Sequence, residues 1–159
     1  MRKNSIYEKK YCDKKRPILI EGNLSIDDRG EVGFINEFNM SDIKRFYSVT
    51  NHRAKFVRAW HAHKKEDKYA TVIKGSAIVA AVKIDNWDKP SKNLKVLRFV
   101  LSEKKPSLVF IPKGYANGFM TLEKNTKLIY FSTATLKESQ EDDIRYNAYY
   151  WNPWQIIER

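Results

Sequence analysis

Nine short runs of β-branched and aromatic residues, each cut off by turn chemistry, constrain this chain more than anything else in it. They span 17–20, 33–35, 46–50, 55–60, 69–73, 77–84, 94–101, 108–111 and 127–133. Such runs suit a half-buried pleated surface and are too short and too branched for helices. Lys74-Gly75-Ser76 reads as a tight hairpin, Asp27-Asp28-Arg29-Gly30 as a second turn, and 86–91 as a longer polar loop. The spacing predicts an antiparallel sandwich or barrel. Helix is sparse: Met40-Ser41-Asp42-Ile43-Lys44 suggests a single turn with Ser41 as its cap. With 159 residues, 42% of them hydrophobic, there is material for one core rather than two. The expected organisation is a basic N-terminal arm, 1–16, followed by one all-β domain, 17–159.

The arm holds seven basic residues against Glu8 and Asp13, within a formal net charge of +11 for the chain. Positive charge of this kind attracts a polyanion, either nucleic acid or the diphosphate of a nucleotide-linked substrate, and a solvated arm is the plainer alternative. Nucleic acid is disfavoured, because the basic residues are scattered and no helix-turn-helix, zinc-finger or aromatic RNA-binding signature is present. A lone cysteine, Cys12, cannot form an internal disulfide, and the charged N-terminus lacks the apolar run of a signal peptide. No window approaches the roughly eighteen apolar residues of a membrane helix. A cytoplasmic protein without membrane partners is expected.

Two of the three histidines lie in Arg58-Ala59-Trp60-His61-Ala62-His63-Lys64-Lys65. On a strand, residues two apart share a face, so His61 and His63 are predicted to converge with Val57 and Ala59, leaving Arg58, Trp60 and Ala62 on the other side. About fifty residues later, Ile111-Pro112-Lys113-Gly114-Tyr115-Ala116-Asn117-Gly118-Phe119 joins two further apolar runs.

The His-x-His pair, with Glu66 and Gly75 after it, resembles the first signature of the cupin barrels, whose metal-binding members complete the ligand set with a histidine where this chain has Asn117. An amide oxygen is a poor ligand beside imidazole, so neither metal nor other cofactor is expected. Arg58-Ala59-Trp60-His61 is similar to the Arg-Gly-Leu-His of the dTDP-4-dehydrorhamnose 3,5-epimerases. In the same order follow Lys68 to Gly75, Ile111 to Phe119, Leu128-Ile129-Tyr130 and Asp142 to Asn147, each resembling a motif of that family; Asp27 to Gly30 resembles its Asp-x-Arg-Gly turn. The resemblance covers about residues 17 to 155.

It implies a cupin double-stranded β-helix, a jelly-roll barrel, forming a homodimer by exchange of N-terminal strands. It implies isomerisation of a nucleotide-diphosphate sugar by proton transfer next to a 4-keto group, in surface polysaccharide or glycan biosynthesis. His61 would be the base, Tyr130 the opposed acid and Lys68 the cation at the enolate oxygen. Arg29 and Arg58 would hold diphosphate or sugar oxygens, and Asn117 a substrate oxygen. Trp60 and Arg145 are further substrate-binding candidates by their place in the motifs. The family orients its base with an aspartate from a C-terminal extension; here Asp143 and Glu66 are the carboxylates available. The run Trp60-His61-Ala62-His63-Lys64 also resembles the sugar 3,4-ketoisomerases, in which paired histidines such as His61 and His63 would shuttle protons through an enediol. A non-catalytic sugar- or nucleotide-binding cupin is the remaining alternative.

Overall fold

The computed structural model describes residues 15–159. Nearly all of the expected basic arm, Cys12 included, lies outside the described residues. Among the described residues twelve strands are formed: β1 Ile18–Glu21, β2 Asn23–Asp27, β3 Gly30–Phe34, β4 Arg45–Thr50, β5 Val57–Ala62, β6 Lys68–Lys74, β7 Ser76–Lys83, β8 Val96–Ser102, β9 Ser107–Ile111, β10 Tyr115–Thr121, β11 Lys127–Ser132 and β12 Ile144–Arg145. Two five-stranded sheets, in the orders β1-β9-β6-β11-β4 and β12-β5-β10-β7-β8, face each other, and β2 and β3 make a separate ribbon. Every pairing is antiparallel. This is the expected jelly-roll sandwich.

Side-chain alternation explains the core. Ala77, Val79 and Ala81 of β7 point inward with Ala70, Val72, Val109, Leu128 and Tyr130. Ile78, Ala80 and Val82 point outward, yet they are buried too, under Trp151 and Trp154. That cover is why β7 reads as an unbroken apolar run. The aromatic tail that carries Trp151 and Trp154 therefore lies across the outer face of the second sheet. It is fastened there by Trp60 Nε1 donating to the Trp151 carbonyl at 3.1 Å and by Trp151 Nε1 donating to the Ser91 carbonyl at 3.0 Å.

Three local expectations are corrected. Met40 to Lys44 forms a turn without helix: Asn39 Oδ1 accepts from the Ser41 amide at 2.9 Å, so Asn39 rather than Ser41 supplies the polar stop. Among the described residues the helix is α1, Leu136–Glu141, closed by a capping box between Thr135 and Glu138. Gly75, at φ 72°, carries the chain from one sheet to the other, so β6 and β7 do not pair as a hairpin. The Pro112-Lys113-Gly114 segment is a turn, but the residues after it form β10, which sits between β5 and β7 in the second sheet.

Candidate active site

A cavity of about 150 Å3 opens between the two sheets, lined by Tyr47, Val49, Arg58, His61, Lys68, Asn117, Gly118, Phe119 and Tyr130. Larger grooves lie elsewhere, including one of about 490 Å3 beside the C-terminal tail, but none gathers a histidine, a lysine and two tyrosines. His61, Arg58 and Asn117 come from the second sheet; Lys68, Tyr47 and Tyr130 come from the first. Whatever enters the cavity has the imidazole on one side and the ammonium and phenols on the other.

The strand β5 does not keep a simple alternation. Its register against β10 slips between the pairs Asn117 with His61 and Phe119 with Arg58. Such a slip moves side chains to the opposite face. Arg58 therefore joins His61 in the cavity, while Val57 and Ala59 pack outward with Trp60 and Ala62. This reverses the expected faces for Val57, Arg58 and Ala59. Gly118 permits the close approach: a Cβ there would meet Ala59 Cβ at 2.3 Å. Arg58 is steadied by Nε donating to Asn51 Oδ1 at 3.0 Å, and the Asn51 amide in turn donates to the Phe56 carbonyl at 3.0 Å.

His61 pairs in register with Asn117 on one side and Arg145 on the other. Its Nδ1 lies 3.6 Å from Asp143 Oδ1, and Arg145 Nε donates to the other oxygen of that carboxylate at 2.7 Å. Of the two carboxylates considered, Asp143 rather than Glu66 faces His61. Burial pushes the His61 imidazole below the ordinary histidine range, Arg145 and Lys68 add to this, and Asp143 opposes it. A ring held below that range is chiefly neutral near pH 7, the form that can accept a proton. Asn117, buried, donates from Nδ2 to the His61 carbonyl at 3.0 Å, which leaves its oxygen as the atom free to meet a ligand.

Tyr130 is buried and stacks on Tyr47 with ring centroids 5.4 Å apart and planes 7° from parallel. Burial holds the Tyr130 hydroxyl well above its ordinary range and pushes Tyr47 up to about 12, so both stay protonated and can donate. Lys68 is buried, and burial pushes its ammonium below the ordinary lysine range.

Other expected site residues lie elsewhere. His63 does not converge with His61 on the cavity: its Nδ1 donates to the Asp142 carbonyl at 2.9 Å and lies 3.1 Å from Glu66 Oε2. Trp60 is wholly buried under the aromatic tail and lines no part of the cavity. Arg29 sits exposed at the tip of the β2–β3 ribbon, paired with Asp27. Among the described residues no cluster of three or more His, Cys, Asp or Glu side chains could hold a metal ion. Tyr47 and Asn51 were missed; Tyr47 alternates with Phe46 and Ser48 on an expected strand, which was the available signal.

Comparison with known proteins identifies the architecture. The family model described as dTDP-4-dehydrorhamnose 3,5-epimerase matches residues 17–156. The chain belongs to that family. Among relatives of this epimerase-family chain is the spore coat polysaccharide biosynthesis protein SpsL of Bacillus subtilis, 31% identical over 90 residues, which are 56% of this chain and 58% of SpsL. The match thus spans little more than half the length of that relative. The dTDP-4-dehydrorhamnose 3,5-epimerase of Bacillus anthracis, solved with TDP and PPi bound, superposes with a TM-score of 0.72 at 20% identity, covering 92% of this chain and 89% of that one. A 3,4-ketoisomerase from Helicobacter canadensis superposes with a TM-score of 0.62 at 18% identity, covering 84% and 93%. At such identities these two likenesses establish the fold the epimerase family shares with the ketoisomerases.

Proposed function

We propose that this protein epimerises a carbon next to the 4-keto group of a nucleotide-diphosphate sugar, in the making of a surface polysaccharide or glycan. The observation that carries the reading is the placement of His61 on one sheet and Tyr130 with Lys68 on the other, across one cavity. A ketone acidifies the hydrogens on its neighbouring carbons. His61, with Nδ1 toward Asp143, takes such a proton at Nε2; the C–H electron pair passes into an enolate whose oxygen the Lys68 ammonium stabilises. Tyr130 then returns a proton to the same carbon from the opposite face, and the configuration inverts. Arg58 would hold diphosphate or sugar oxygens and Asn117 a hydroxyl.

A 3,4-ketoisomerase would instead pass a proton between adjacent carbons on one face, the task assigned to a pair of histidines. Only His61 reaches the cavity, which favours epimerisation. The substrate side of the proposal includes a homodimer: the β2–β3 ribbon leaves Ile26 70% and Val32 64% exposed, and a second copy covering them would bring Arg29 toward a bound diphosphate. Because nucleoside diphosphate sugars are built from intracellular triphosphates, the compartment proposed is the cytoplasm.

The test is incubation in D2O with a panel of 4-keto nucleotide sugars, followed by NMR and mass spectrometry. Deuterium at C3 or C5 with the carbonyl still at C4 is expected, and His61→Asn should bind the sugar but lose exchange. A carbonyl moved to C3 would establish the ketoisomerase, and binding without exchange a non-catalytic protein.

A further inference from the structure

The cavity's one lysine stands on a buried acid that itself never reaches the cavity. Arg45, Ser132 and Lys68 occupy one register row across β4, β11 and β6. Glu66, two residues before Lys68, brings a carboxylate with 1% exposure into that row. The Ser132 hydroxyl donates to Oε1 at 2.6 Å, Arg45 Nη2 lies 3.5 Å from it, and Lys68 Nζ lies 3.8 Å from it. The second oxygen, Oε2, faces His63 Nδ1 at 3.1 Å. None of Arg45, Glu66, Ser132 and His63 lines the cavity.

A carboxylate taken out of water is unfavourable unless cations and donors surround it, and an apolar side chain would fill the same space without that desolvation. The epimerase reading has no direct use for Glu66. It does need a charged Lys68, and Lys68 is buried beside the permanently charged Arg45. Without an anion between them, two like charges would share one dry row.

We propose that Glu66 is the positioning residue of Lys68: its carboxylate, fixed by Ser132 and Arg45, is the counter-ion that keeps the Lys68 ammonium seated at the cavity wall. The inference rests on the reading of Lys68 as the cation at the enolate oxygen. His63 packs against the second carboxylate oxygen without a hydrogen bond to it, its Nδ1 proton being given to the Asp142 carbonyl, and it shuttles no substrate proton. Burial pushes Lys68 below the ordinary lysine range; Glu66 opposes this, Arg45 adds to it and Asp143 opposes it. Tyr47 faces the ammonium too, its ring centroid 6.0 Å from Nζ. Burial pushes His61 and His63 down, and the charge on Lys68 depresses both further.

The experiment follows Lys68 itself. In the full chain labelled with 13C at lysine Cε, the Lys68 resonance is assigned by its loss in Lys68→Arg and titrated by NMR. Glu66→Gln should lower its midpoint by about one pH unit or more, and Arg45→Gln, which removes the repelling cation, should raise it. General loosening of the fold would not drive the two variants in opposite directions. In turnover, Glu66→Gln should move the alkaline limb of kcat/KM down by the same interval and lower kcat more than it changes KM. An unmoved Lys68 midpoint in Glu66→Gln overturns the proposal. So does an unchanged or lowered midpoint in Arg45→Gln, which keeps the test decisive if Glu66→Gln does not fold. A shifted midpoint with an unshifted kinetic limb upholds the role of Glu66 and removes Lys68 from the chemistry.

Discussion

Replacing Asp143 by Asn takes away the charge that faces His61, the proposed base, while keeping the shape of the side chain. Opposite unit charges 4 Å apart attract by about 4 kcal/mol at the dielectric typical of a protein surface. Asp143 Oδ1 lies 3.6 Å from His61 Nδ1, so that figure is the starting point. Two features reduce it. Arg145 Nε binds the same carboxylate at 2.7 Å, and the side chains of His61 and Asp143 are 35% and 24% exposed, so guanidinium and water both screen the pair. Roughly a third should survive, which corresponds to about one pKa unit. The sign follows from the charge: a carboxylate favours the imidazolium, so its loss moves His61 further below the ordinary histidine range, where burial already pushes it. A weaker and less oriented base should lower kcat about ten- to a hundredfold. The assay is deuterium exchange into a 4-keto nucleotide sugar across neutral and mildly acid pH. The acid limb of kcat/KM reports the free enzyme's base, and it should fall by about one unit in Asp143→Asn. Arg145→Gln should raise it, since a repelling cation is gone. An acid limb unmoved or raised in Asp143→Asn would refute the assignment of Asp143 as the partner of the base.

Gly118→Ala places a methyl 2.3 Å from Ala59 Cβ and 2.9 Å from the Arg58 carbonyl, neither of which can retreat without moving β5. It should cost about 1–3 kcal/mol and lower Tm by several degrees in calorimetry. Asn51→Ala frees the Arg58 guanidinium from its acceptor; KM should rise about tenfold with kcat little changed in steady-state kinetics, as expected when ground state and transition state lose the same contact. Trp151→Ala uncovers the outer face of the second sheet at a cost of about 3–5 kcal/mol by chemical denaturation. Because Trp151 lines no part of the cavity, kcat at low temperature should stay near that of the parent.

The strands that were legible in the sequence are those whose ends carry turn chemistry and whose faces differ. Strand β10 was not, because Pro112, Gly114 and Gly118 all read as loop, while the reason for Gly118 is a close approach that only the partner strand reveals. Helix α1 is too short and too polar for a periodic signal, although the capping box at Thr135 and Glu138 was there to be read. Within the site, His61, Lys68, Asn117 and Tyr130 come together because each stands at a motif position whose strand faces the interior, whereas Arg58 joins them only through the register slip of β5, which simple alternation does not carry. The expected pairing of His61 with His63 fails for a different reason. Strand alternation ends at Ala62, and the next residue turns to the carbonyl of a segment 79 residues away. No local pattern could carry that information.

That distant segment explains how His61, the proposed base, is held in place. The capping box fixes the start of α1, and the helix delivers Asp142 to the loop after β5. There the Asp142 carboxylate accepts from the backbone amides of Lys64 and Lys65 at 3.0 and 2.8 Å, while its carbonyl accepts a hydrogen bond from His63 Nδ1. With Asp142 tied at three points, the following residues have one way to continue: Ile144 pairs with Ala62 and Arg145 with His61. Asp143 lies between the tie and the pairing, so its carboxylate is set opposite the imidazole by the backbone on both sides of it. The two adjacent aspartates thus do different work, one as a structural clasp and the other as the group that faces His61. Loss of the clasp should therefore disturb His61 even though Asp142 is no part of the cavity lining.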